Sequence, residues 1–148
     1  MRVPLFLRSS SAWLAAWMLT SSVGCVAETK TATIVALESA PRALSLSKTA
    51  RVWHLARGRN AYLGRLELEP GAKVPLHRDS TEEFIYVLEG GGHMTIDGAP
   101  YDVTVGHTIY MPANVEVSFQ NGPTKTVALQ VFAGPEPADK YESWSPLP

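Results

Sequence analysis

From Arg51 onward the sequence predicts an all-β domain, a sandwich or barrel of short strands. Three observations carry this. Apolar and polar residues alternate in short runs, as in Val115 to Gln120, where Val115, Val117 and Phe119 share one face against Glu116, Ser118 and Gln120. Glycine, proline and asparagine clusters punctuate the runs: Arg57-Gly58-Arg59-Asn60, Pro70-Gly71, Gly90-Gly91-Gly92, Pro112-Ala113-Asn114 and Asn121-Gly122-Pro123. Asp97-Gly98 between HMTI and APYDV is a two-residue hairpin signal, since both turn positions need positive φ.

The chain divides into four parts. Residues 1–27 read as an export segment: Arg2 and Arg8 give a basic start, no acid precedes Glu28, and the apolar block Ala12 to Leu19 is followed by small residues. The competing reading, a buried N-terminal helix, lacks length and a cap. Residues 28–50 are a polar lead-in whose apolar pieces, Thr33 to Leu37 and Leu44 to Leu46, read as edge strands or a tether. Residues 51–134 hold the strands expected at Arg51–Ala56, Ala61–Glu69, Glu83–Leu88, His93–Asp97, Tyr101–Val105, Thr108–Met111, Val115–Gln120 and Thr124–Phe132. Residues 135–148 form a proline-rich tail expected to lie over the outside of the domain by Tyr141 and Trp144.

Composition narrows the function. With 45% hydrophobic and 18% charged residues the chain is an ordinary globular protein. Its formal net charge is −1, and losing Arg2 and Arg8 leaves 11 basic against 14 acidic side chains, which argues against a nucleic-acid partner. Beyond the export segment no stretch is long and apolar enough to span a membrane. Cys25 is the only cysteine, so no internal disulfide can form. Coming after Ser22-Val23-Gly24, Cys25 resembles the acylated cysteine of a bacterial lipoprotein, a lipid anchor; cleavage near Ala27 would instead discard it. Either way the expected location is outside the cytoplasm, periplasmic or membrane-anchored.

Chemistry concentrates in Gly71 to Gly90, GAKVPLHRDSTEEFIYVLEG. His77 and Asp79 are two apart on an extended segment, so imidazole and carboxylate look the same way, and Glu83 opens the next strand with the same parity. One imidazole and two carboxylates make a hard-to-borderline metal site. The same three groups could equally form a polar network with arginine or water. Glu83 has apolar same-face neighbours, so inside it needs a cation or hydrogen-bond partners, or its pKa rises. Ile85, Val117 and Phe119 are expected to line the pocket, and Tyr62 and Phe132 are aromatic candidates for it or for plain core. His93 is expected to face out, His107 to sit in a solvated turn, Glu82 to be a rim charge and Arg78 to point away; His54 has no clear phase.

This run resembles the first motif of the cupin superfamily (cupin type-2, RmlC-like): Gly71, five residues, His77-x-Asp79, three residues, Glu83, six residues, Gly90, with Asp79 where the family has a second histidine. Gly98, five residues, Thr104-Val105-Gly106, then Pro112 through Val117 and Asn121, is similar to the second motif, with Val117 in place of the histidine that completes the metal site. The resemblance spans roughly residues 60 to 132. It implies a double-stranded β-helix jelly-roll barrel, a functional pocket at His77, Asp79 and Glu83, and a divalent metal (Mn, Fe, Zn or Ni) held weakly because one ligand is exchanged and one lost. The outer face of the strand expected at Glu83–Leu88, with Phe84, Tyr86 and Leu88, is apolar too and needs cover, from a homodimer partner or from the tail; the resemblance favours the homodimer. The function expected is an exported protein binding a small organic ligand at a degenerate metal site. The alternatives are a metal-dependent dioxygenase, isomerase or decarboxylase acting on an oxygen-rich substrate, and a non-catalytic envelope lipoprotein.

Overall fold

The structure, a computed structural model, describes residues 32–148. The export segment, the choice between Cys25 and Ala27 and the first residues of the lead-in lie outside the described residues. Eleven strands form two sheets: β1 (Arg42–Leu44), β2 (Ala50–Arg57), β3 (Tyr62–Leu68), β4 (Lys73–His77), β5 (Glu82–Glu89), β6 (Gly91–Ile96), β7 (Ala99–Thr104), β8 (Thr108–Met111), β9 (Val117–Asn121), β10 (Thr126–Ala133) and β11 (Ser145–Leu147). The larger sheet runs β11-β1-β2-β3-β10-β5-β8 and the smaller β4-β9-β6-β7. Neither sheet closes on itself. They face each other as a double-sheet jelly roll, and Val87 and Met111 from one pack with Met94, Val103 and Val117 from the other.

Local chemistry fixes the corners. Asp97 (φ 46°) and Gly98 (φ 81°) make the expected tight hairpin between β6 and β7, with Ile96 opposite Ala99. Gly90 stands at φ 69°, and a Cβ there would lie 2.3 Å from the Lys125 carbonyl oxygen, so only glycine lets the chain pass between β5 and β6. The eight expected strands all form, with ends shifted by two residues at most. Three more appear. β4 contains Pro75 and pairs with β9 through a register irregularity, which hides it from pattern reading. β1 and β11 are three residues each and pair with one another at the edge of the larger sheet.

Three apolar clusters organise the interior of the described residues, the smallest made by Ala50, Leu68 and Ala72. Between the sheets sit Val87, Met94, Val103, Met111 and Val117. At one end Val52, Tyr62 and Phe132 pack with Ala43, Ala138 and Tyr141. This second cluster corrects the expectation for the tail. Residues Glu136–Ser143 form a 3₁₀ helix that buries Pro137, Ala138 and Tyr141, so the tail enters the interior rather than lying over the outside. Its apolar residues leave water at this end of the fold, while Asp139 stays outside, bonded to Arg57 at 2.5 Å. Phe84, Tyr86 and Leu88 project from the opposite face of β5 and remain partly exposed, with Phe84 and Tyr110 ring to ring at 5.1 Å. Among the described residues no helix is long and apolar enough to cross a membrane.

Candidate functional site

A cavity of about 790 Å³ lies between the sheets. All six residues singled out from sequence line it: His77, Asp79, Glu83, Ile85, Val117 and Phe119. Strand parity explains the inward set. On β5, Glu83, Ile85 and Val87 share a face, and on β10 Phe132, Gln130 and Ala128 stand opposite them in register. Val117 is the direct cross-strand partner of His77. The valine is 3% exposed, so the position where the resembling motif has its last histidine carries a buried apolar side chain.

The polar groups form two linked chains. In the first, the Tyr141 hydroxyl donates to Gln130 Oε1 at 2.5 Å, and Gln130 Nε2 donates to Glu83 Oε1. Glu83 is 4% exposed. Burial pushes its pKa from the ordinary 4.5 up to about 7, against the pull of the Gln130 bond and the nearby Lys140 charge. Burial likewise drives Tyr141 well above the usual tyrosine value, with the Glu83 charge adding to it, so its hydroxyl stays protonated as the donor.

In the second chain, Lys140 Nζ donates to both oxygens of Asp79, at 3.1 and 2.9 Å. His77 turns Nδ1 toward the Pro75 carbonyl at 2.9 Å, which leaves Nε2 facing Asp79 Oδ2 at 3.6 Å. That separation is long for a hydrogen bond, and the two groups act on each other as opposite charges. The Asp79 carboxylate raises the His77 pKa against the opposing effect of burial. Burial would raise Asp79, but His77 and Lys140 together hold it below the usual range. The lysine ammonium also lies 4.8 Å from the centre of the Phe132 ring, a cation–π contact.

A divalent ion fits this donor set poorly. Among the described residues no three His, Cys, Asp or Glu side chains come close enough together to hold a metal. An ammonium already neutralises Asp79, and Val117 offers no lone pair. Sequence reading missed Gln130, Lys140 and Tyr141. Gln130 left a signal, a polar residue within the apolar strand TVALQVFA. Lys140 left none.

The remaining candidates separate cleanly. Tyr62 and Phe132 belong to the end cluster, their rings stacked at 5.9 Å. His54 accepts or donates at Nδ1 with the Tyr62 hydroxyl at 2.9 Å, and burial, with Arg57, lowers its pKa. His93 is exposed and meets Asp102 at 2.6 Å, His107 is exposed in its turn, and Glu82 accepts from the Tyr110 hydroxyl at 2.9 Å. Arg78 borders the cavity, but its guanidinium turns to Glu116 at 2.9 Å and to the Asn114 carbonyl at 2.5 Å.

Comparison with known proteins follows the same lines. Residues 64–132 match the family described as Cupin domain. Dimethylsulfoniopropionate lyase DddW from Ruegeria pomeroyi is 38% identical over 68 residues, which cover 46% of this chain and 45% of the lyase. The chain spans less than half the length of the curated relatives it matches. Among solved structures, an RmlC-like cupin from Shewanella frigidimarina superimposes with a TM-score of 0.64 at 18% identity, covering 70% of this chain and 92% of that one. A predicted oxalate decarboxylase from Thermotoga maritima does so at 0.61 and 22% identity, covering 69% and 99%.

Proposed function

From a jelly-roll chain whose residues 64–132 match the Cupin domain family, we propose a protein that binds a small organic molecule between its two sheets. One observation carries this: the 790 Å³ cavity joins an apolar wall of Ile85, Val87, Val117 and Phe119 to a cluster of charged and polar groups at His77, Asp79, Lys140 and Glu83. A mostly apolar concavity with a few convergent polar groups is the general form of a small-molecule site. The apolar wall would take the ligand's body, and the charged cluster would fix an oxygen-bearing end. The basic and apolar lead before Glu28 supports an exported setting for this domain, with Cys25 as its lipid anchor if that cysteine is kept.

Binding should appear as thermal stabilisation. At a ligand concentration a hundred times Kd the expected gain is about 2.7 kcal/mol. For a domain of this size that is roughly 5 °C or more in Tm. A panel of small carboxylic and hydroxy acids, titrated against metal-free protein, should contain such a ligand, and Val117→Phe should abolish its shift by filling the cavity. A panel that shifts nothing, or a shift that survives in Val117→Phe, defeats the reading.

A second reading is enzymatic. It is favoured by Glu83, a buried carboxyl that titrates near neutrality beside an apolar cavity, as a general acid or base would. The similarity to a protein named as a lyase supports it. In this reading Glu83 carries the proton, Gln130 orients the carboxyl, and Lys140 with His77 receives the substrate's anionic end.

Two copies of the chain would cover Phe84, Tyr86, Leu88 and Tyr110, which lie partly exposed on β5 and the edge strand β8. A homodimer through this face is expected to give twice the chain mass by light scattering, and Tyr86→Glu is expected to leave a folded monomer. A wild-type monomer at micromolar concentration overturns the dimer.

A further inference from the structure

We propose that Lys140 is the resident cation of this pocket, taking beside Asp79 the charge-neutralising place that a divalent ion would otherwise fill, so that the site works without a bound metal. The inference deepens the ligand-pocket reading at the same site. It rests on where the lysine is held. Its ammonium meets both carboxylate oxygens of Asp79 at 2.9 and 3.1 Å, and it lies over the face of the buried Phe132 ring. Asp79 has 13% of its side chain exposed, and Lys140 is the nearer cationic group to it, at 2.9 Å against 3.6 Å for His77.

The lysine does not reach this place by chance of a long side chain. The 3₁₀ helix that carries it is fixed on both sides of residue 140. Asp139 is bonded to Arg57, and Tyr141 is buried with its hydroxyl on Gln130. The same Gln130 holds Glu83. The tail therefore supplies the cation and, through Tyr141 and Gln130, also engages the other carboxyl of the site. A metal entering here would have to displace an ammonium already paired with Asp79, and it would find Val117 where a further donor is needed. An ammonium can donate three hydrogen bonds, and with two contacts to Asp79 it keeps capacity for an acceptor on the ligand.

The test uses metal ions alone, so it can fail while ligand binding stands. Wild-type protein, equilibrated with Mn²⁺, Fe²⁺, Ni²⁺ or Zn²⁺ and dialysed, is expected to retain on the order of a tenth of an equivalent or less by elemental analysis, the result of a like charge at the site. Lys140→Met removes that charge and should tighten binding by calorimetry at least roughly tenfold. Lys140→Arg keeps the charge and should bind as weakly as wild type. Lys140→Met combined with Val117→His adds the missing donor and should approach one equivalent. A wild-type domain that retains one equivalent of metal, lost in His77→Ala, overturns the proposal. So does a folded Lys140→Met variant whose metal affinity equals that of wild type.

Discussion

Replacing Glu83 by glutamine is expected to remove most of the pH dependence of this fold's stability between pH 5 and 8. The carboxyl is almost fully buried, and its pKa in the folded protein is about 7 against an ordinary 4.5. Between those values the folded protein holds a proton that the unfolded chain releases, so stability falls as pH rises through this window and levels off above it. The difference corresponds to about 3 kcal/mol. Glutamine keeps the shape and still accepts from Gln130 Nε2, but it carries no charge to bury. Urea unfolding at pH 5 and pH 8 reads the effect directly. Wild type should lose about 3 kcal/mol across the interval, and the variant much less. His77, whose pKa is raised, loses its contribution as pH climbs through that raised value, so a smaller slope at the alkaline end should persist in the variant. Asp79 acts in the opposite sense, its stabilisation being lost only in acid. Parallel pH profiles for wild type and Glu83→Gln would show that Glu83 ionises as freely in the fold as in water. The same variant separates the two functional readings. A general acid or base lost to glutamine should cost about 10²–10⁴-fold in kcat with ligand affinity kept, whereas a binding protein has no turnover to lose.

The second large effect is structural and lies away from the cavity. Asn121 is 3% exposed, and Nδ2 reaches the carbonyls of Leu68, Glu69 and Thr124 at 3.2, 2.7 and 3.0 Å. Its Oδ1 accepts from the Thr126 hydroxyl at 2.5 Å, and that hydroxyl in turn accepts from Gly91 N–H at 2.7 Å. One amide thus ties the turn after β3, the turn before β10 and the start of β6. Alanine would leave several buried carbonyls and a hydroxyl short of partners and open a void. The expected loss for Asn121→Ala is about 3 kcal/mol, seen as a lower denaturant midpoint with unchanged m-value. Asn121→Asp keeps the volume but turns an acceptor toward those carbonyls, and should cost at least as much. A loss under about 1 kcal/mol would mean that water or neighbouring groups take over the amide's role.

How far the sequence could be read depended on the range of the interactions. Strands β2, β3 and β5 to β10 announced themselves, because alternation and turn chemistry act within a few residues. Their parity also placed Glu83, Ile85, Val117 and Phe119 on inward faces, and all four line the cavity. β4 was hidden by Pro75, and β1 and β11 were too short to show a period. The tail was misplaced because prolines and charges describe a surface segment, while Pro137, Ala138 and Tyr141 are buried by residues far away in sequence. Lys140 illustrates the limit. Its partner Asp79 is 61 residues distant, and nothing around either one marks the pairing. The three residues read as metal ligands do share one cavity, but the charge balance among them is set by a side chain that local patterns cannot assign.

The pairing of Arg42 with Leu147 in β1 and β11 carries a consequence for what the tail is worth to the pocket. Strands β2 through β10 end at residue 133, yet Pro137, Lys140, Tyr141 and Trp144 from the segment that follows also line the cavity. β11, paired at the edge of the larger sheet, fastens that segment at its far end. Cut away, the segment would leave Glu83 and Gln130 facing the cavity without Tyr141 behind them, and Asp79 without its ammonium. The pocket is thus a vessel whose last wall is a strap, and a single cleavage ahead of residue 136 would open it and unbalance its charges together.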